Sequence, residues 1–66
     1  MKQYTLVYFN DKLDETGYPF KHKQVYVYFG EIPNMLGHCI VMNYDTGQMF
    51  AGYHIENFKE IPEDDV

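Results

Sequence analysis

Sixty-six residues leave room for one domain and one core, because a chain this short buries only about 60% of its unfolded surface. A hydrophobic content of 45% and an aromatic content of 18%, all of it Tyr and Phe, supply dense material for that core, but the apolar runs fall far short of the ~18 residues that span a bilayer. Ten acidic side chains against five lysines and no arginine give a net charge of −5, which repels phosphate backbones and argues against nucleic acid as a direct partner.

The single cysteine, Cys39, excludes an internal disulfide and fits a reducing, cytoplasmic setting. The N-terminus lacks the basic region, apolar stretch and small-residue cleavage site of a secreted protein, so secretion and membrane insertion are not expected.

"YTLVYF" (4–9) is β-branched and aromatic and stops at Asn10-Asp11, the pattern of a first strand with Leu6 and Tyr8 on one face and Val7 and Phe9 on the other. "NDKLDETGYPFKHK" (10–23) is polar, carries Gly17 and a Tyr18-Pro19 step, and is long for a connection in so small a domain. "QVYVYFG" (24–30) alternates strictly, with Val25, Val27 and Phe29 opposite Tyr26 and Tyr28. The polar tip of tyrosine makes the Tyr face the expected outer, wet surface.

"EIPNMLG" (31–37) breaks the strand at Pro33, and "HCIVMN" (38–43) resumes as a third strand. "YDTG" (44–47) has the chemistry of a tight hairpin, with Asp45 bonding the backbone ahead and Gly47 left-handed. "QMFAGY" (48–53) is a fourth strand in which Gly52 permits a bend. The order of strands and loops predicts an all-β barrel or a strongly bent sheet over residues 1–61, the barrel being the expected form since closure removes edges a small sheet cannot cover. Residues 62–66 form an acidic tail, expected to be frayed.

"GYHIENFKEI" (52–61) resembles the end of Src-homology-3-like barrels, in which a glycine, a short 3-10 turn carrying an Asn-aromatic pair and a brief last strand follow in turn. Gly52, Asn57-Phe58 and Ile61 carry the match; Ile55 stands where a proline is usual, and the tryptophan that shapes a proline-peptide groove is absent. The resemblance implies a five-stranded barrel with a 3-10 turn before the last strand, and departs from it in the groove. It places the binding face between the long first loop, the loop after strand two and the 3-10 turn, which offer Tyr18 and Phe20, Asn34 and Met35, and His54 and Asn57. Small size, acidity and a barrel also look like accessory proteins of phages and plasmids.

Catalytic and metal constellations are weak. His38 and Cys39 are adjacent and face opposite sides of a strand, leaving His54 as the one base able to approach the thiol. His22, His38, Cys39 and His54 lack the close-set spacing of a zinc site, and Asp11, Asp14 and Glu15 lack the alternation of a calcium loop. No phosphate-cradling glycine pattern occurs. The expectation is a non-enzymatic module without cofactor or metal that binds a protein partner as an inhibitor or adaptor. The alternative is an oligomeric small-molecule or nucleotide binder with a tyrosine-lined interface pocket. An acidic mimic of nucleic acid is a third reading, and an enzyme using Cys39 and His54 comes last.

Overall fold

The computed structural model describes residues 1–65, with Val66 of the acidic tail outside the described residues. Five strands follow in chain order: β1 (Leu6–Phe9), β2 (Val25–Glu31), β3 (His38–Asn43), β4 (Met49–His54) and β5 (Phe58–Glu60). Short 3-10 turns lie at Glu15–Gly17, Ile55–Asn57 and Glu63–Asp65. The fold is all-β, and among the described residues no helix is long and apolar enough to cross a membrane.

All pairings are antiparallel, in the order β4-β3-β2-β1-β5. The expected closed barrel is not formed: β4 and β5 are the two edges, and no ladder joins them. The turn Ile55–Asn57 carries the chain out of β4 and lays β5 on the far side of the sheet beside β1, with Val7 opposite Glu60 and Phe9 opposite Phe58. β5 is only three residues long, and Pro62, which has no N–H to donate, follows it closely. Instead of closing, the sheet bends until both edges reach one ring. Phe50 of β4 and Phe58 of β5 each meet Phe20 with ring centroids 5.0 Å apart.

Two register shifts drive the bending, one between Tyr28 and Gly30 on β2 and one between Cys39 and Ile40 on β3. Gly52 is the extra residue of the second, since Cys39 faces Tyr53 and Ile40 faces Ala51. Its φ of +91° is a conformation L side chains rarely adopt, while a Cβ there would meet nothing within 4 Å. Glycine is present for its backbone freedom and not for close packing.

The inner face departs from the expected one. Tyr26 and Tyr28 point into the core, 1% and 4% exposed, whereas Val25, Val27 and Phe29 are half-buried on the opposite face. Burying a tyrosine costs little when its hydroxyl finds a partner, and the Tyr26 hydroxyl accepts the Lys21 N–H at 3.1 Å. The tyrosine wall expected outside is therefore part of the core. Val7, Phe9, Cys39 and Val41 complete it from β1 and β3, and Ile61 is buried behind β5.

The long loop is built and not slack. Asp14 accepts from the Thr16 N–H and hydroxyl at 2.9 and 2.7 Å, Glu15 accepts the His22 N–H, and Phe20 inserts fully into the core. At the β3–β4 hairpin it is Asn43, and not Asp45, that bonds the backbone ahead, accepting from the Asp45 and Thr46 N–H groups at 2.8 and 3.1 Å. Asp45 instead accepts from the Gln24 amide at 3.0 Å. The first strand begins at Leu6 and not at Tyr4, because Tyr4 takes a positive φ of 71°. In the tail, the Asp65 N–H donates to the Pro62 carbonyl at 2.9 Å within the last 3-10 turn.

Candidate functional site

The connection between β2 and β3 is two successive tight turns. The Met35 N–H donates to the Ile32 carbonyl at 3.1 Å, with Pro33 and then Asn34 at the corners, and the His38 N–H donates to the Met35 carbonyl at 3.0 Å, with Leu36 and then Gly37. In each turn the second corner residue has positive φ, 69° at Asn34 and 78° at Gly37. Proline first and a left-handed Asn or Gly second is the preference of a type II turn. Glu31 braces the loop by accepting the Gly37 N–H at 2.7 Å.

This geometry turns two apolar side chains outward. Leu36 is 89% exposed and Met35 is 43% exposed, on a segment braced by the hydrogen bonds that the Ile32, Met35, Gly37 and His38 N–H groups donate. The loop is docked against the end of β4, where the Ile55 N–H donates to the Gly37 carbonyl at 2.8 Å. Between them lies a groove of about 450 Å³ lined by Leu36, Gly37, His54, Ile55 and Glu56. His54 sits directly across from His38 on β3, with ring centroids 4.1 Å apart, and the His38 Nδ1 meets the Leu36 carbonyl at 3.0 Å.

Of the residues expected at the binding face, Asn34 and Met35 lie on this loop outside the groove, and His54 lines the groove. Tyr18 is half-buried on the long loop against Phe9, with ring centroids 5.0 Å apart. Phe20 is fully buried and has no surface to offer a partner. Asn57 is 9% exposed, and its carbonyl accepts the Asn10 N–H at 2.7 Å, which ties the 3-10 turn to the end of β1. Leu36, Ile55 and Glu56 were not expected at this face. For Leu36 the signal was available: an apolar residue between Pro33-Asn34 and Gly37 sits in a turn, where it has no core to enter.

A second groove of about 570 Å³ lies along the β1–β5 margin, walled by Tyr8, Phe9, His22, Lys59 and Pro62. The His22 ring stacks on Phe9 at 5.4 Å and 20°, with its Nε2 against the Leu13 carbonyl at 2.8 Å. Lys59 is engaged by Asp11 at 3.3 Å, a contact that lowers the Asp11 pKa through hydrogen bonding and charge.

Neither groove contains the thiol. Cys39 lies on the inner face opposite Tyr53, whereas His54 is on the outer face opposite His38, so the sheet separates the thiol from that imidazole. Burial, and then the charge of Glu31, push the thiol up to about 11, which keeps it protonated and unreactive at neutral pH. The loop acids are likewise dispersed: Asp11 holds Lys59, Asp14 caps Thr16 and Glu15 holds His22. Among the described residues no three His, Cys, Asp or Glu side chains cluster as metal ligands.

Comparison with family models, with curated proteins and with solved structures finds no match to this chain.

Proposed function

We propose that this chain is a non-enzymatic module that binds a protein partner, as an inhibitor or adaptor, with a Src-homology-3-like arrangement of its strands. The strand order, with a 3-10 turn between β4 and a short β5 that returns to β1, supports the fold reading. The observation that carries the binding role is Leu36, 89% exposed at the corner of a braced double turn. An apolar side chain held out in water gains on being covered, and where the backbone beneath it is already braced, less backbone ordering opposes binding.

Ile55 extends the apolar contact within the groove and Met35 is exposed next to Leu36 along the chain, while Glu56 at the groove and Glu31 beneath the loop add negative charge, with no lysine between residues 24 and 58. A partner segment with an apolar side chain flanked by lysine or arginine fits this surface best. The test is affinity capture from the native host's lysate with the wild-type chain, the Met35→Ala/Leu36→Ser variant and the control Thr46→Ala. Capture of one protein by wild type and control, lost in the double variant and weakened by salt, supports the reading. Equal capture by all three refutes this site.

A small-molecule role has one observation in its favour, the β1–β5 groove, whose volume lies within the roughly 300–1,000 Å³ range of ligand pockets. A specific metabolite that raises the melting temperature of the wild type and not of His22→Ala would favour that role.

A further inference from the structure

The sheet is apolar on both faces, and only the inner one is covered. Cross-strand register sets Leu6, Val27, Met42 and Met49 in a single row over β1 to β4, flanked by Tyr8 opposite Val25 and by Ile40 opposite Ala51. Each alternates with a residue of the buried face, and each is half-buried or exposed. At one end Tyr4, 63% exposed, stands edge-on against Phe29 with ring centroids 5.5 Å apart. No outward residue of this row or its flanks is charged. The charges begin at the margin, where Lys59 lies beside Tyr8 and pairs with Asp11.

We propose that this outer face is covered by a second copy of the same chain, making a two-fold dimer of sheet packed on sheet. An apolar sheet face is stable when a second layer lies about 10 Å above it, and among the described residues no segment of this chain supplies that layer. Two copies that each carry a net charge of −5 repel one another, and this uncharged face lets them meet with no ion buried and the carboxylates left at the rim.

The available area fits. Tyr44, whose N–H donates to the Val25 carbonyl at 3.0 Å, continues the β2–β3 pairing one residue past Asn43 and so falls on the Val25 face. Tyr4, Tyr44 and Met49 are 63%, 58% and 52% exposed, and with side chains of about 200 Å² each they contribute on the order of 350 Å². The half-buried residues between them bring the face to roughly 600 Å² per copy, the lower limit for a specific interface. A two-fold axis near Val27 and Met42 lays Met49 of one copy over Leu6 of the other and the reverse, as an isologous contact requires. Met42 and Met49 are flexible enough to fill the irregular gaps between two identical surfaces.

Sedimentation equilibrium of the whole chain, from about 5 to about 500 µM, tests the proposal alongside thermal melts over the same range. The expected result is a mass that doubles with concentration, a melting temperature that rises with it, and association that tightens with added salt as the like charges are screened. Met49→Glu is chosen because Met49 is already half-exposed, so the variant stays folded by circular dichroism while two carboxylates enter the interface. Its dissociation constant should rise at least about 100-fold, that is by ~2.7 kcal/mol. Leu36→Ser, which removes the proposed partner contact, should dimerise like the wild type, so the two surfaces fail or succeed separately. A wild type that stays monomeric throughout, a Met49→Glu variant that dimerises as tightly, or a Leu36→Ser variant that does not dimerise would each overturn it.

Discussion

Phe20 and Tyr26 meet edge to face, with ring centroids 5.3 Å apart and planes at 87°, and the Tyr26 hydroxyl accepts the N–H of Lys21, the residue next to Phe20. One strand residue thus holds the long loop by a ring contact and a hydrogen bond at once. Tyr26→Phe keeps the first and removes the second. It should lower stability by about 1 kcal/mol in urea titration and speed amide exchange at Lys21, whereas Phe20→Ala should cost ~3–5 kcal/mol. Unchanged exchange at Lys21 in Tyr26→Phe would show that the hydroxyl does not hold the loop.

Phe58 tests how the open sheet keeps its core. Its ring is 5.0 Å from Phe20, 6.2 Å from Tyr26 and 6.3 Å from Phe9, and it is the first residue of the short β5. With no ladder between β4 and β5, the two edges meet through Phe20, which Phe58 contacts from β5 and Phe50 from β4. Phe58→Ala should cost roughly 3–5 kcal/mol, a large part of the net stability of a small domain. A variant that melts with the wild type would mean that the edges are joined by something other than this cluster.

The bulge at Gly52 separates conformational strain from packing. Alanine there meets no atom within 4 Å, so its cost is the positive φ alone, about 1–2 kcal/mol. A 66-residue chain is accessible to chemical synthesis, and D-alanine at the same position should match or exceed glycine, because it favours positive φ and restricts the unfolded chain. If L- and D-alanine destabilise equally in chemical denaturation, packing and not φ governs the site.

Much of the fold was legible because it is written locally. "HCIVMN" is β3 to the residue, and the Gly52-to-Phe58 segment does form a bulge, a 3-10 turn and the start of a short last strand. The face of β2 was not legible. Alternation sorts residues onto two faces but does not say which is inside when both are apolar, and here Phe20 and the Lys21 N–H, brought back from the loop, decide it. Closure was illegible for the same reason, since whether β4 pairs with β5 depends on how the sheet bends over Phe20 and not on either strand. At the candidate site, Leu36 and His54 come to line one groove through the bond from Ile55 to Gly37, a contact between segments that neither sequence announces.

Cys39 makes stability depend on alkaline pH. Its folded thiol titrates at about 11 against an ordinary 9.0, held up first by burial and then by Glu31. Above pH 9 the unfolded chain releases this proton while the folded chain keeps it, so the unfolded state binds fewer protons and stability falls as pH rises toward 11. Below pH 9 the contribution is fully present. Cys39→Ser loses some stability at every pH through its buried hydroxyl, but it should lack this decline, so that the gap from wild type narrows by on the order of 2 kcal/mol between pH 8 and pH 11. Parallel denaturation curves for the two proteins across that range would contradict the buried-thiol account.

Leu36 separates binding from folding most cleanly, because its side chain is 89% exposed and touches the fold mainly through its backbone. Leu36→Ser should leave stability within about 0.5 kcal/mol of wild type, as surface substitutions do. Covering a leucine fully is worth about 1.5–3 kcal/mol, so calorimetric titration with the captured partner should show affinity reduced on the order of 10- to 100-fold. Gly37→Ala disturbs the same surface from beneath. It leaves Leu36 in place but strains the second turn at its positive φ, so its binding loss should come with a measurable loss of stability, which Leu36→Ser does not have. If Leu36→Ser binds as tightly as the wild type, the double turn is a structural connection only, and the groove beside Phe9 and His22 becomes the surface on which a partner must be sought.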